Sequence, residues 1–298
     1  MQTVSELNRR FGVAGVAAVV EGNSGLPKVV VTSQVATGEI YLHGGHVTAW
    51  APAGARQVLF CSPNSLFMDG KAIRGGIPVC YPWFADKSDN PAAPVHGLVR
   101  TRAWKLESVE PLGDAIAITT SIASGTDTRQ WWPFDYRLAC RATFGRELRV
   151  ELTAANTGDL AYAIEEALHA YFLVGDVETL AVTGLDATRY IDKVDRFTEK
   201  LQAGDLHLSA ETDRVYLDTK SDVEIVDSAW NRRISIRKHN SRDTVVWNPW
   251  AEKSVGMADL GAGQWKNFVC VETANVGASA VQLAPGSSHT MAVEFQVS

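Results

Sequence analysis

The sequence predicts an all-β protein, a single large antiparallel β-sandwich with a few short helices. Three observations carry that expectation. Apolar and polar residues alternate in one segment after another, turn-forming residues divide the segments at short intervals, and helical periodicity is weak. Leu148, Val150 and Leu152 alternate with Arg149, Glu151 and Thr153, and Met291, Val293, Phe295 and Val297 alternate with Ala292, Glu294 and Gln296. Ile234 and Ile236 flank Ser235. Period two buries one face of a strand and leaves the other in water.

The first predicted element is a short helix over Val4–Phe11. Arg9-Arg10 followed by the apolar run 11–20 has the outline of a signal peptide. Glu6 precedes the basic pair, however, and no small-residue cleavage site separates the run from Glu21. The run is also too short to span a bilayer, so it is read as a first strand or helix, and a cytoplasmic protein is expected. Further strands are predicted over 28–33, 38–42, 46–50, 104–110, 115–124, 136–144, 162–174, 223–227, 244–248 and 267–272. Turns fall between them at Pro52-Ala-Gly54, Gly145-Arg146, Asn156-Thr-Gly158 and Pro285-Gly286. A second short helix is expected around 259–265. No repeat, low-complexity tract or long linker divides the chain, so residues 1–298 are expected to form one domain, with more strands than an immunoglobulin fold.

With 298 residues, the chain is long enough to bury about three quarters of its surface. An apolar fraction of 46% and a charged fraction of 21% fit a globular protein rather than a disordered one. The net charge of −6 argues against a general nucleic-acid binder. Cys61, Cys80, Cys140 and Cys270 are far apart and mostly in apolar surroundings. Without a C-x-x-C pair they read as buried free thiols rather than a zinc site. His43 and His46 share a turn-like segment but form no convincing ligand set, and no phosphate-binding loop, dinucleotide fingerprint or nucleophile elbow is present.

The candidate chemistry concentrates between Arg74 and Arg100. Arg-Gly-Gly-Ile-Pro-Val-Cys-Tyr-Pro-Trp-Phe is followed by a polar loop and then His-Gly-Leu-Val-Arg. Glycine lets the backbone approach a ligand closely, and guanidinium forks suit carboxylate or phosphate. Trp83 and Phe84 are positioned to wall a pocket. His169 lies in Ile164-Glu-Glu-Ala-Leu-His-Ala-Tyr-Phe-Leu-Val174, where a continuous strand would put Glu165, Ala167, His169 and Tyr171 on one face. Glu272 ends an apolar run, Phe268-Val-Cys-Val-Glu. A carboxylate there must be paired or held for chemistry, and burial would raise its proton affinity toward that of a general base. The residues alone leave a packed core histidine and a structural ion pair equally open. Nine tryptophans exceed what a β core of this size calls for, and flat aromatic faces stack on sugar rings.

Six segments together resemble the hexose-6-phosphate mutarotases of the aldose 1-epimerase superfamily. They are Ile73-Arg-Gly-Gly-Ile-Pro-Val-Cys-Tyr-Pro-Trp-Phe84, His96-Gly-Leu-Val-Arg100, Leu168-His-Ala-Tyr-Phe172, Asp213-Arg-Val-Tyr216, Val246-Trp-Asn-Pro-Trp250 and Val269-Cys-Val-Glu-Thr-Ala274. They occur in the family's order from about Gly38 to the C-terminus. The resemblance implies a galactose-mutarotase-like supersandwich that needs no cofactor or metal and acts as a monomer on a hexose 6-phosphate, without nucleic acid or membrane. It implies His169 as general acid and Glu272 as general base. It further implies Asp213 as the carboxylate for sugar hydroxyls, with Arg74, His96 and Arg100 at the substrate. One departure stands out: the family commonly carries Gln just before the His-Gly motif, where this chain has Val95, which cannot donate a hydrogen bond. Three other activities fit the same residues: a mutarotase for unphosphorylated aldoses, a non-catalytic sugar-phosphate sensor, and a glycosidase-like enzyme using Asp213 with Glu272.

Overall fold

The computed structural model describes residues 2–298. Two eight-stranded sheets, a four-stranded sheet and a two-stranded ribbon make up the fold, and every pair of strands within them is antiparallel. The helix Val4–Phe11 begins with a capping box in which Thr3 and Glu6 satisfy each other's backbone N–H groups.

The outer eight-stranded sheet contains the strongest sequence patterns. Its order is Ala181–Thr183, Val223–Asp227, Arg232–His239, Ser288–Val297, Leu148–Asn156, Tyr136–Phe144, Ala115–Ala123 and Lys105–Leu112. Leu148–Asn156 alternates strictly between buried and half-buried residues, as its period-two pattern predicts. The four-stranded sheet of Ala17–Glu21, Pro27–Thr32, Ala36–Tyr41 and His46–Pro52 joins it at one end. There Trp50 Nε1 donates to the Gly145 carbonyl at 3.1 Å.

The inner sheet runs Thr198–Leu201, Arg189–Asp192, Thr212–Tyr216, Asp243–Asn248, Phe268–Asn275, Glu166–Leu168 and Val79–Cys80, with Tyr171–Leu173 also paired to Phe268–Asn275. All eight residues of Phe268–Asn275 are buried, because the strand is covered on both faces. One apolar core runs between the two large sheets, where the Phe172 and Phe295 rings meet edge to face at 5.1 Å.

The structure differs from the sequence expectation in several places. The predicted continuous strand 162–174 is three short strands, Tyr162–Ile164, Glu166–Leu168 and Tyr171–Leu173. Glu165 is turned out of line, and its carboxylate accepts the backbone N–H groups of Phe84 and Gly277. It therefore does not share a face with His169. A segment buried on both sides gives no alternation to mark such breaks. The second helix forms at Trp250–Ser254, with only a 3-10 turn at Gln264–Asn267. The short strands Val79–Cys80, Ala181–Thr183, Arg189–Asp192, Thr198–Leu201, Thr212–Tyr216 and Val281–Leu283 are additional to those the pattern predicts. All four cysteines are free thiols, three of them buried and Cys61 half-buried.

Candidate active site

Strand register brings the acid–base candidates together. Leu168 pairs with Thr273 and Tyr171 with Cys270, so the break at His169-Ala170 lies opposite Val271-Glu272. The His169 N–H donates to the Pro78 carbonyl at 3.0 Å, and the Val271 N–H donates to Ala170 at 3.2 Å. His169 Nε2 then stands 3.4 Å from Glu272 Oε1. Tyr171 stacks on the His169 imidazole at 4.9 Å, and Trp247 meets it edge-on at 6.0 Å.

The neighbouring strands add the polar floor. Val245 pairs with Glu272, and Asp213 pairs with Trp247. Period two carries Val245 and Trp247 to the same face. Asp213 and Glu272 thereby open on one cavity of about 520 Å³, which is also lined by Arg74, His96, Arg100 and His169. The structure thus brings all six sequence-predicted residues to a single site, with a volume in the usual range for a small-molecule pocket.

The rim is basic. Arg74 is held by Asp259 through Nε at 3.1 Å and Nη2 at 3.0 Å, and its Nη1 donates to the Tyr171 hydroxyl at 3.1 Å. One N–H remains on each of its terminal nitrogens. Arg100 donates Nη2–H to the Val95 carbonyl at 2.9 Å, while its Nε is buried without a protein partner. The backbone of Val95 therefore orients an arginine, and its side chain stays 46% exposed at the mouth. Lys193 and Lys253 also line the cavity, and sequence reasoning missed both. Lys193 follows a four-residue strand with no alternation to flag it, and Lys253 sits in the helix at Trp250–Ser254.

Phe84 walls this cavity as expected, together with Trp247, but Trp83 does not. Trp83 and Trp132 line a neighbouring cavity, and Trp250 packs on Trp265 at 4.6 Å.

Burial sets the protonation of the central pair. Desolvation, followed by the charges of Arg100 and Arg74, pushes His169 well below the ordinary imidazole value. Desolvation pushes Glu272 well above the ordinary carboxylate value, opposed chiefly by Lys193. Asp213 is raised for the same reason, again opposed by Lys193. His169 Nδ1 and Glu272 Oε2 are buried without a protein partner. A histidine and a glutamate in contact, with proton affinities driven toward each other, suit concerted proton transfer to and from a bound molecule.

Comparison with known proteins identifies the family and the fold. The family model described as Aldose 1-epimerase matches residues 28–296. An Escherichia coli protein named "Putative glucose-6-phosphate 1-epimerase" is 35% identical over 84% of this chain and 83% of its own length. A protein of the same name from Cenchrus ciliaris is 33% identical over 91% of this chain and 84% of its own. A solved Salmonella typhimurium structure, described as "a putative mutarotase (YeaD)", superposes with a TM-score of 0.90 at 32% identity, covering 97% of this chain and 95% of that one. A galactose mutarotase-like structure from Lactobacillus casei shares the fold at 13% identity, with a TM-score of 0.72 over 91% of this chain and 100% of that one. The chain belongs to the aldose 1-epimerase family.

Proposed function

We propose that this protein interconverts the α and β anomers of a hexose 6-phosphate, with glucose 6-phosphate as the expected substrate. The observation that carries the reading is the His169–Glu272 contact of 3.4 Å at the floor of a cavity rimmed by arginines. Glu272 takes the proton of the anomeric hydroxyl while His169 delivers one to the ring oxygen. The bond between C1 and the ring oxygen breaks, and C1 becomes an aldehyde. Rotation about C1–C2 presents the other carbonyl face, and the ring closes as both protons return. Substrate and product have the same oxidation state, so the steps balance without a redox partner. Each proton transfer contributes roughly 10²–10⁴-fold.

Asp213 accepts hydrogen bonds from sugar hydroxyls in this reading, and Arg74 and Arg100 hold the phosphate. A phosphate carries about −1.5 to −2 charges near neutrality. His169 is depressed first by desolvation and then by these cations, and the phosphate charge offsets the second contribution, so the histidine gains proton affinity when substrate is bound. Binding at the unreactive end of the sugar thereby prepares the acid at the reactive end. The same reading takes the protein as a cytoplasmic monomer.

Magnetisation-exchange NMR on glucose 6-phosphate tests the proposal. Wild type should accelerate anomer exchange, and His169→Ala and Glu272→Gln should each lose it by at least about 100-fold while keeping the fold. Tight sugar-phosphate binding without exchange would leave a sensor on an enzyme scaffold. Exchange of free glucose at an equal rate, unaffected by loss of either arginine, would make it an aldose mutarotase.

A further inference from the structure

Four cations reach the cavity, and three of them are tied by hydrogen bonds to the protein. Arg74 is bound by Asp259 and Tyr171, Arg100 by the Val95 carbonyl, and Lys253 by Glu211 at 2.5 Å. Lys193 differs. Its backbone N–H donates to the Asp213 carbonyl at 2.9 Å, which fixes it beside that residue in the sheet. Its ammonium lies 3.5 Å from Asp213 Oδ1 and 4.9 Å over the Phe84 ring, with its side chain 19% exposed. The lysine is therefore anchored by its backbone, and its ammonium meets Asp213 loosely in the cavity that Glu272 also lines.

We propose that Lys193 is a positioning residue of this site, the counter-charge shared by Asp213 and Glu272. Two carboxylates open on one low-dielectric cavity, and the Lys193 ammonium acts on both, with Lys253 adding to it at Asp213. Lys193 is the foremost charge opposing proton uptake by Glu272 and by Asp213. The other groups facing Glu272 do not substitute for it. Arg74 is paired with Asp259 and Lys253 with Glu211, and neither is among the charges that act on Glu272. His96 and His169 are held neutral by burial. The Tyr171 hydroxyl and the Cys80 and Cys270 thiols have raised proton affinity and stay uncharged. Arg100 contributes in the same sense as Lys193 but more weakly at Glu272. By this assignment Lys193 keeps Glu272 ready to accept a proton near neutrality and holds Asp213 charged for the sugar hydroxyls.

The inference deepens the mutarotase reading and rests on it for its kinetic test. Anomer exchange is measured between pH 5.5 and 9 for wild type, Lys193→Met and Lys193→Arg, after melting curves show that the variants fold. The acidic limb of kcat/KM should move up by about one pH unit in Lys193→Met. Activity then falls about tenfold on the acidic side and recovers on the alkaline side, while Lys193→Arg keeps the wild-type limb. A pH-independent loss overturns the assignment. So does a rise in KM for glucose 6-phosphate with the limb unmoved, which would make Lys193 a phosphate ligand. If wild type exchanges no anomers, the mutarotase reading fails by itself. Lys193 is then judged by the Glu272 carboxyl titration, followed by carbon-13 NMR in the free protein. A higher Glu272 midpoint in Lys193→Met supports the assignment, and an unchanged midpoint overturns it.

Discussion

His96 and Ala85 hold each other in place through two hydrogen bonds. The His96 N–H donates to the Ala85 carbonyl at 2.8 Å, and the Ala85 N–H donates to His96 Nδ1 at 3.2 Å. Both residues have left-handed backbone, with φ of 62° and 59°, a conformation that costs energy for any residue but glycine. The bond to Nδ1 leaves the ring proton on Nε2, and burial with nearby Arg100 keeps the imidazole neutral. His96 thus offers the cavity a fixed N–H donor.

Replacing His96 with Ala should therefore do two things. KM for the sugar phosphate should rise about tenfold, the scale of one lost hydrogen bond. The fold should lose about 1–3 kcal/mol, because the Ala85 N–H loses its acceptor. Steady-state kinetics and urea denaturation check the two effects separately.

The two arginines should differ on substitution. Arg100→Met removes a guanidinium with one strong protein bond and should raise KM for glucose 6-phosphate by tenfold or more, with little effect on free glucose. Arg74→Met should do the same and also lower the melting temperature, because Asp259 and the buried Tyr171 hydroxyl lose their partner. Asp259→Asn loosens Arg74 without removing it and should fall between the two. Paired KM values for the phosphorylated and free sugar, with melting curves, test the order.

Stability should fall as pH drops below 6.5. His46, His96 and His169 all titrate below the free imidazole value of 6.5 in the folded chain, His46 at about 3. Between those folded values and 6.5 the unfolded chain binds protons that the folded chain refuses, so stability rises with pH across that window. Each such histidine contributes about 1.4 kcal/mol per pH unit there. Glu272 and Asp213 act in the opposite sense, since their raised values let the folded state keep protons that the unfolded chain has released. His289, raised by its bond to Glu166, contributes fully below 6.5 and loses that contribution as pH climbs through its folded value. Denaturation at pH 7 and pH 5 should show a net loss at pH 5. His46→Gln should make the slope shallower by about 1.4 kcal/mol per unit.

Gly97 should tolerate no side chain. Its φ is +82°, and a Cβ there would overlap the Tyr81 carbonyl oxygen, which accepts the Leu98 N–H at 2.8 Å. Gly97→Ala should destabilise the fold by several kcal/mol and displace His96 with it. Gly113, whose φ is also positive but which has open space around it, provides the control, and Gly113→Ala should cost about 1 kcal/mol by its backbone conformation alone. Melting temperatures and anomer exchange of the two variants check this.

Long strands such as Leu148–Asn156 were legible in the sequence because one face is buried, the other is only half-buried and the alternation is clean. His169 and Glu272 were legible as residues, but their meeting was not. It depends on a break in pairing opposite a strand buried on both faces, and neither leaves a periodic trace. Lys193 was invisible because Arg189–Asp192 mixes charge and apolarity without period and is ordered only by its neighbours. Asp259 lay where a helix was expected, and its role as the clamp on Arg74 follows from a contact 185 residues distant in sequence.

The break at His169-Ala170 has an evolutionary consequence. The residues proposed to move protons stand on a strand with no exposed position and on the bend stapled to it, whereas Arg100, His96 and Val95 hang on a connecting segment. Under that proposal, substitutions in the connecting segment can rework the grip on the substrate's far end while the proton-moving pair stays locked in the buried strand. A change in that segment should alter which sugar is held before it alters the reaction.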